Sequence, residues 1–345
     1  MRQLLALVCL LPALLGTSAC AQNTPLEPAP GGKGSYLLRQ DVQDFISDVS
    51  LRLNLPRAEL EQTLAEVTPV PKVIDLIKPS ANPLVRSWKR YRARFVEPIR
   101  ISHGQRFMSD NAATLAAAEA QYGVPREIIA AIIGVETVYG RNTGSFSTVA
   151  ALATLAFDYP PRADLFRREL ESLFQLAHER HVSALDFKGS YAGAIGLPQF
   201  LPSSIRAFAV DFDHDGVIDL RNSAADAIGS VASYLSENGW QRDGRIALRA
   251  TLADGRDASA LLAAGFTPSL SADTLRQAGV SSQAELANGE KAALIDLVTP
   301  GEATEYWLGL QNFYVITRYN RSSFYAMSVK DLAEALRSAS GISRR

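Results

Sequence analysis

The chain has 345 residues, enough for two or three domains at roughly 150 residues each. Its 35 Lys and Arg residues nearly balance its 36 Asp and Glu residues, so the net charge of -1 gives no electrostatic basis for binding nucleic acid. With 47% hydrophobic and 21% charged residues, the composition is that of a folded soluble protein and excludes a globally disordered or collagen-like chain.

The first 20 residues have the features of an export signal. Arg2 supplies a positive charge, and residues 4–16 form an apolar run that is shorter than the ~20 residues needed to cross a bilayer. Two processing sites overlap behind this run. The segment that ends at Cys20 resembles a lipobox, although Thr17 stands where leucine is usual. Residues 19–21 also suit ordinary signal peptidase.

We favour lipidation of Cys20, because a cysteine at this place is otherwise unexplained. No aspartate follows it, so the chain is expected at the periplasmic face of the outer membrane, or soluble in the periplasm if ordinary signal peptidase cuts. The other cysteine, Cys9, also lies in the leader, so the exported body must be stabilised by its core or by a metal rather than by disulfides. Residues 21–35 are rich in proline and glycine and are predicted to be a flexible tether.

The body is predicted to be mainly α, with a smaller β-rich part (α+β). Apolar residues at helical spacing predict helices over residues 41–53, 85–95, 111–122, 162–180, 224–236 and 328–337. A further short helix is predicted to follow Pro56 and to run through Leu64. Four prolines between these helices, from Pro69 to Pro83, predict an irregular connector. Alternating or β-branched residues predict strands over 245–252, 291–298 and 306–316.

The domain prediction follows these elements. A helical domain is expected over residues 36–108 and a small β-rich domain over residues 242–302. A helical core would then combine residues 109–241 and 303–345.

Glu136 is an anomaly in the most apolar predicted helix, which is expected to begin with Pro125 and to stop at Gly140. The glutamate shares a helical face with isoleucines four and eight residues earlier. A carboxyl group that has lost water there has a raised pKa, as a general acid requires. The alternative is a glutamate at the edge of the core, paired with an arginine such as Arg141.

The glycine-rich segment over residues 189–204 is a candidate ligand-binding loop, because glycine allows close approach of the backbone to a ligand. Ser190, Tyr191 and Gln199 offer hydroxyl and amide groups that suit sugar hydroxyls and acetamido groups. The alternative is a tight irregular loop between helices that binds nothing.

An acidic segment matches the first half of a calcium-binding loop. The predicted ligands are the side chains of Asp211, Asp213 and Asp215 and the backbone carbonyl of Val217. Gly216 suits the required turn, but Asn222 stands where the bidentate glutamate is expected. A longer loop closed by Asp226 would complete the site, and the alternative is an acidic surface turn. We favour calcium, in a structural role.

Seven segments in order along the chain resemble the membrane-bound lytic murein transglycosylase B family. They are residues 88–92 (WKRYR), 122–125 (YGVP), 132–141 (IIGVETVYGR), 189–204 (GSYAGAIGLPQFLPSS), 211–219 (DFDHDGVID), 226–234 (DAIGSVASY) and 312–320 (NFYVITRYN). The resemblance spans residues 36–338. It implies a lysozyme-like helical core with a flanking helical domain and a small β domain.

The resemblance also implies cleavage of the MurNAc–GlcNAc β-1,4 bond of peptidoglycan without water, which leaves 1,6-anhydromuramoyl ends. Glu136 would be the catalytic residue, and calcium would be held by the acidic loop closed by Asp226. The implied substrate-binding residues are Ser190, Tyr191, Gln199, Tyr234, Tyr319, Arg162 and Asn320. Peptidoglycan strands are the expected partner, membrane contact is expected only through the N-terminal lipid, and complexes with other cell-wall enzymes are left open.

Two other functions remain as alternatives. Ordinary glycoside hydrolases use two carboxylates, whereas the motifs offer one, so Glu136 would act as acid and then as base while the substrate's acetamido group assists. A hydrolytic muramidase on the same fold is the alternative enzyme. A non-catalytic peptidoglycan-binding scaffold is the alternative from another class, and the glutamate in an apolar helix argues against it. A calcium sensor is disfavoured, because sensors usually pair two loops.

Overall fold

A computed structural model describes residues 32–78 and 86–339. The predicted leader, Cys20 and residues 21–31 of the predicted tether lie outside the described residues. Within the described ranges, none of the helices combines the length and the apolar character needed to cross a membrane.

The described residues are mainly α-helical with small antiparallel sheets, which confirms the predicted fold class. The helices are α1 Gln40–Leu53, α2 Arg57–Glu66, α3 Pro71–Ile77, α4 Trp88–Arg92, α5 Pro98–Asp110, α6 Ala112–Tyr122, α7 Arg126–Thr137, α8 Thr148–Phe157, α9 Ala163–Glu179, α10 Pro202–Phe208, α11 Ala224–Glu237, α12 Ser259–Ala263, α13 Ala272–Gln277, α14 Gln311–Tyr319 and α15 Ser323–Ala339. The strands are β1 Phe146–Ser147, β2 Lys188–Gly189, β3 Ala247–Leu252, β4 Val280–Ser282, β5 Ala293–Leu297 and β6 Glu305–Gly309.

The predicted strand over residues 306–316 is wrong in its second half, because β6 ends at Gly309 and α14 begins at Gln311. The side chain of Asn312 fixes this change of direction. It accepts the Gln241 N–H at 2.8 Å and donates to the carbonyls of Gln241 and Gly244, each at 2.8 Å. Residues of this run are then buried at helical spacing rather than alternately.

Three helices also differ from prediction. Pro71 opens the short helix α3 inside the predicted connector. Pro125 precedes α7 with extended backbone (ψ 136°) and is not its first helical residue, and the helix ends at Thr137, before Gly140. The closing helix α15 begins at Ser323 rather than at residue 328, because its first turns carry polar and aromatic residues that weaken the apolar pattern.

The described residues form two compact units, and each is discontinuous in sequence. The first contains residues 86–142 and 208–339, and the second contains residues 32–78 and 143–207. The domain boundaries predicted from the sequence stay a prediction.

In the first unit α7 is the central helix and packs against α5, α6, α11 and α15. The buried Glu127 in its first turn pairs with Arg337 of α15 at 3.4 Å, so the start of α7 is tied to the end of α15. The same unit contains an antiparallel sheet in the order β4-β3-β6-β5, with Arg249 opposite Trp307 and Leu294 opposite Leu308. This sheet has its own apolar cluster, which includes Leu275 and Leu294.

In the second unit the fully buried helix α8 packs against α9 and α3. The strands β1 and β2 pair antiparallel, with Phe146 opposite Gly189, so the start of the glycine-rich loop is held in a ladder. The buried carboxylate of Glu169 on α9 holds the other end, since it accepts the Ser203 N–H at 3.0 Å and the Ser203 hydroxyl at 2.7 Å. The loop is therefore fixed at both ends.

Candidate active site

Glu136 lies in the last turn of α7, and it is the one residue of 128–137 that is partly exposed rather than buried. The phenol of Tyr325, on α15, donates a hydrogen bond to its Oε1 at 2.7 Å. Burial raises the pKa of Glu136 to about 7, and the Tyr325 hydrogen bond opposes this by a smaller amount. A carboxyl group with this pKa can donate a proton and take one back near neutral pH.

Tyr325 was not predicted as a site residue. Local spacing gave no signal for it, because its contact with Glu136 joins residues 189 positions apart and the closing helix was expected to begin only at residue 328. The structure stacks the Tyr319 and Tyr325 rings at 6.3 Å and 14°, and both residues are buried. Burial, with the negative charge of Glu136, raises the pKa of both phenols far above the usual value, so they remain hydrogen-bond donors.

Tyr234 and Asn320 complete this group in the first unit. The Tyr234 ring meets the Tyr319 ring edge-on at 4.9 Å, and its hydroxyl donates to the Arg318 carbonyl at 2.7 Å. Asn320 follows α14, is 2% exposed, and its Oδ1 has no hydrogen-bond partner among the described residues. A buried amide oxygen left in this state favours a bound donor. The structure therefore brings Glu136, Tyr234, Tyr319 and Asn320 into one unit.

The other predicted substrate residues belong to the second unit. Ser190 closes a turn within the glycine-rich loop, where its hydroxyl accepts the Ala194 N–H at 3.1 Å and its N–H donates to the Ala194 carbonyl at 2.8 Å. Tyr191, next to it, is partly exposed. Arg162 lies with its guanidinium 5.7 Å from the centre of the Phe166 ring.

Gln199 stabilises the loop itself, which its residue type did not reveal. It is buried with a left-handed backbone (φ 49°), and its Nε2 donates to the Gly196 carbonyl at 2.9 Å and to the Thr143 carbonyl at 3.2 Å. The neighbouring glycines are sterically required. A Cβ atom at Gly189 would lie 2.1 Å from the Ala194 carbonyl oxygen. The predicted alternative, a tight loop, therefore describes its local geometry well.

The acidic loop of the first unit brings three of the predicted ligands together. Oxygen atoms of Asp211, Asp213 and Asp226 all lie within 4.8 Å of one another. Asp226 is fully buried and accepts the N–H groups of Phe212 at 2.9 Å and Asp219 at 2.7 Å. Burial, together with the charges of Asp213 and Asp211, raises its pKa. Such a group of hard oxygen donors fits calcium.

Two predicted ligands lie outside this three-carboxylate group. Asp215 is exposed, and its Oδ1 accepts the Val217 N–H at 2.8 Å. The Val217 side chain is 61% exposed, as expected where only the backbone carbonyl is needed. Asn222, which replaces the expected glutamate, donates its side-chain amide to Asp219 at 2.8 Å.

The family model described as "Transglycosylase SLT domain" matches residues 38–334. The chain is 38% identical over 312 residues to the membrane-bound lytic murein transglycosylase B of Escherichia coli (strain K12), covering 88% of this chain and 84% of that protein. The chain therefore belongs to the SLT-domain transglycosylase family.

Solved structures agree with this assignment. Catenated lytic transglycosylase SltB1 from Pseudomonas aeruginosa is 44% identical (TM-score 0.81, covering 88% of this chain and 99% of that chain). The Escherichia coli lytic transglycosylase Slt35 in complex with calcium is 38% identical (TM-score 0.80, 90% and 97%). SltB3 from Pseudomonas aeruginosa in complex with NAG-anhNAM-pentapeptide is 29% identical (TM-score 0.73, 86% and 79%).

Proposed function

We propose that this chain is a peptidoglycan lytic transglycosylase in which Glu136 is the acid and then the base. The observation that carries the role of Glu136 is its place at the end of a buried helix, partly exposed, hydrogen-bonded to Tyr325 and with a pKa of about 7. The activity follows from family membership and from the lytic transglycosylases that the chain resembles.

In the first step the protonated carboxyl of Glu136 donates to the glycosidic oxygen, so GlcNAc leaves with its hydroxyl restored. With its pKa near 7, a large share of Glu136 carries this proton at neutral pH. Tyr325 occupies Oε1, which leaves Oε2 for the substrate. The acetamido carbonyl of MurNAc stabilises the positive charge that develops at C1.

In the second step the C6 hydroxyl of the same MurNAc attacks C1, and Glu136, now ionised, takes the hydroxyl proton. A 1,6-anhydro ring forms, and the glutamate is again protonated for the next cycle. The attacking hydroxyl is tethered to the reacting sugar, so its effective concentration at C1 is very high. SltB3, a relative, has been solved with NAG-anhNAM-pentapeptide, which contains such an anhydro sugar.

We propose further substrate contacts, given for each unit by itself. In the first unit the buried Asn320 Oδ1 would accept an N–H of the sugar, and Tyr234 and Tyr319 would provide an aromatic surface. In the second unit the substrate contacts would come from Ser190, Tyr191, Gln199 and Arg162. Because the amide nitrogen of Gln199 already binds the loop backbone, this residue would bind sugar through its carbonyl oxygen.

Calcium is proposed as a structural ion of the acidic loop. Asp211, Asp213 and Asp226 would hold it, joined by Asp215 and the Val217 carbonyl. The ion would neutralise three converging carboxylates and so stabilise the start of α11, the helix that carries Tyr234. A related structure, Slt35, contains calcium.

Anchoring is proposed at Cys20. The Escherichia coli relative is described as membrane-bound, and the leader with its lipobox-like segment would place this chain at the periplasmic face of the outer membrane. Mass spectrometry of the N-terminal peptide tests this, since a lipidated Cys20 at the new N-terminus would carry added acyl mass.

Product analysis tests the reaction. Purified sacculi digested in heavy-oxygen water are expected to give muramoyl ends that are lighter by one water than hydrolysed ends and free of the label. Labelled reducing ends would identify the chain as a hydrolytic muramidase. Binding to sacculi without soluble products would identify a non-catalytic scaffold.

A further inference from the structure

The three residues that follow α7 have an unusual backbone. Val138 (φ 53°), Tyr139 (φ 58°) and Gly140 (φ 85°) are consecutive left-handed residues, and only the last is glycine. A left-handed conformation is unfavourable for ordinary residues and especially for a β-branched one. It persists only where the surrounding structure enforces it. Since Glu136 lies two residues before Val138, whatever enforces this turn also fixes the end of the catalytic helix.

Backbone hydrogen bonds hold part of the turn. The Val138 N–H donates to the Gly134 carbonyl at 3.1 Å, and the Tyr139 N–H reaches the Ile133 carbonyl at 3.4 Å. The Thr137 hydroxyl accepts the Gly140 N–H at 3.0 Å. These bonds close the helix end, but they leave unexplained why a large aromatic residue occupies the second left-handed position.

The Tyr139 ring explains it, because the ring is inserted between α5 and α7. A Cβ atom at Gly104 of α5 would lie 2.2 Å from the Tyr139 hydroxyl oxygen, and one at Gly134 of α7 would lie 2.5 Å from it. Phe107 packs against the ring at 5.3 Å. Each helix therefore has a glycine where the phenol ring lies, although glycine inside a helix is destabilising.

Hydrogen bonding by the phenol oxygen does not explain this arrangement. It is buried and has no hydrogen-bond partner among the described residues. The two glycines accommodate the phenol end of the side chain, namely the hydroxyl oxygen and the ring carbon that carries it. Gly134 and Glu136 are two residues apart and hence point roughly 200° apart around the helix, so the ring and the catalytic carboxylate lie on opposite sides of α7.

We propose that Tyr139 is a positioning residue for the reaction: its ring, seated on Gly104 and Gly134, enforces the left-handed turn that holds Glu136 against Tyr325. The inference rests on the proposed role of Glu136. Tyr139 need not touch the substrate. It acts by preventing the last turn of α7 from unwinding, which would move the carboxylate away from the Tyr325 hydroxyl.

The test compares Tyr139→Leu with Tyr139→Phe in the full exported chain, on purified sacculi. Tyr139→Leu removes the ring and is expected to lower kcat by about 10- to 100-fold, because a displacement near 1 Å costs ~10²-fold. KM should stay within about twofold, since no substrate contact is lost. Tyr139→Phe keeps the ring and is expected to keep kcat within about twofold of wild type.

A matched control separates positioning from stability. Phe313 is a fully buried aromatic residue of the same unit, packed on Gly309 of the sheet. Phe313→Leu should lower the melting temperature comparably and leave kcat unchanged when all variants are assayed well below melting. The pKa of Glu136, followed by carbon NMR of its carboxyl, should fall towards the ordinary value in Tyr139→Leu alone, because water enters the loosened turn.

The proposal is wrong if Tyr139→Leu keeps the kcat of wild type, or if Phe313→Leu loses as much. Equal losses in Tyr139→Phe and Tyr139→Leu would assign the effect to the hydroxyl and also overturn it. If Tyr139→Leu does not fold, Gly134→Ala provides the same test, because the added methyl must displace the ring. Full activity of Glu136→Gln would instead refute the role of Glu136, which is a separate result.

Discussion

Glu136 and Asp226 both have carboxyl groups that burial shields from water, but the groups around the two carboxyls differ. Glu136 accepts a hydrogen bond from the Tyr325 phenol, and among the described residues it lies outside the group of three converging carboxylates. Asp226 accepts two backbone N–H groups and lies within 4.8 Å of Asp211 and Asp213. Burial of a carboxyl without neighbouring carboxylates, as at Glu136, favours its protonated form. Converging carboxylates, as at Asp226, favour a bound cation. With the proposed roles, one chain would use carboxyl groups both for proton transfer and for metal binding.

The largest expected effect comes from replacing the isolated carboxyl. Glu136→Gln keeps the shape and removes the proton, so turnover of sacculi should fall by at least the ~10²–10⁴-fold that general acid-base catalysis contributes. Glu127→Gln is the matched control, since it alters a buried glutamate of the same helix that pairs with Arg337. Glu127→Gln should lower the free energy of unfolding and leave kcat unchanged. Near wild-type turnover in Glu136→Gln would disprove the catalytic assignment.

The same substitution should change how stability depends on pH. Between pH ~4.5 and about 7 the folded protein keeps a Glu136 proton that the unfolded chain has released. Wild-type stability therefore falls as pH rises through this window, by up to ~3 kcal/mol. Glutamine cannot ionise, so urea unfolding should find Glu136→Gln more stable than wild type at pH 8, with the difference vanishing near pH 4.5. A pH-independent difference would show that Glu136 is not the perturbed group.

For the clustered carboxylates the decisive variant is Asp226→Asn. Calcium should raise the melting temperature of wild type, because an ion that binds only the folded state stabilises it by ~2.7 kcal/mol at 100 times its Kd. Magnesium should raise the melting temperature only a little, since it prefers a tighter octahedral shell. Asp226→Asn should lose most of the calcium-dependent gain in differential scanning calorimetry. If millimolar calcium leaves the wild-type melting temperature unchanged, Asp226 does not bind calcium and the proposed difference between the two carboxylates is wrong.

A smaller effect is expected from Tyr325→Phe. Its hydrogen bond lowers the pKa of Glu136, so its loss should raise that pKa and move the alkaline limb of the pH–rate profile to higher pH. The rate at the optimum should also fall, because the carboxylate is no longer oriented. Phe324→Leu, beside it on α15, is the control for packing. An unmoved alkaline limb in Tyr325→Phe would count against this hydrogen bond in solution.

The smallest effect is predicted at Val217. Its side chain is exposed and only its carbonyl is proposed as a ligand, so Val217→Ala should leave the calcium-dependent rise in melting temperature within about 1 °C of wild type. Asp215→Asn should reduce that rise partially if its carboxylate joins the ion. No reduction would restrict the side-chain ligands to Asp211, Asp213 and Asp226.

The sequence predicted those site features that depend on local spacing. Glu136 was found because a carboxylate at four-residue spacing from isoleucines is conspicuous, and the acidic loop because its ligands recur at alternate positions. Tyr325 was missed because its bond to Glu136 is formed between residues 189 positions apart. The strand predicted over residues 306–316 was wrong in its second half for a similar reason. Hydrogen bonds from Asn312 to residues distant in sequence set the boundary between β6 and α14. Local pattern carries no information on such contacts.

The alternation of the two units along the chain has a consequence for folding. The second unit is complete once residue 207 has emerged, whereas the first needs the segment up to residue 339. Glu136 and Tyr325 come from the two separate chain segments of the first unit, so closing a long loop must precede their hydrogen bond. Non-local contacts of this kind slow folding. The Tyr325–Glu136 bond therefore forms only after α15 has docked on α7, so with the proposed role of Glu136 activity would appear late in folding.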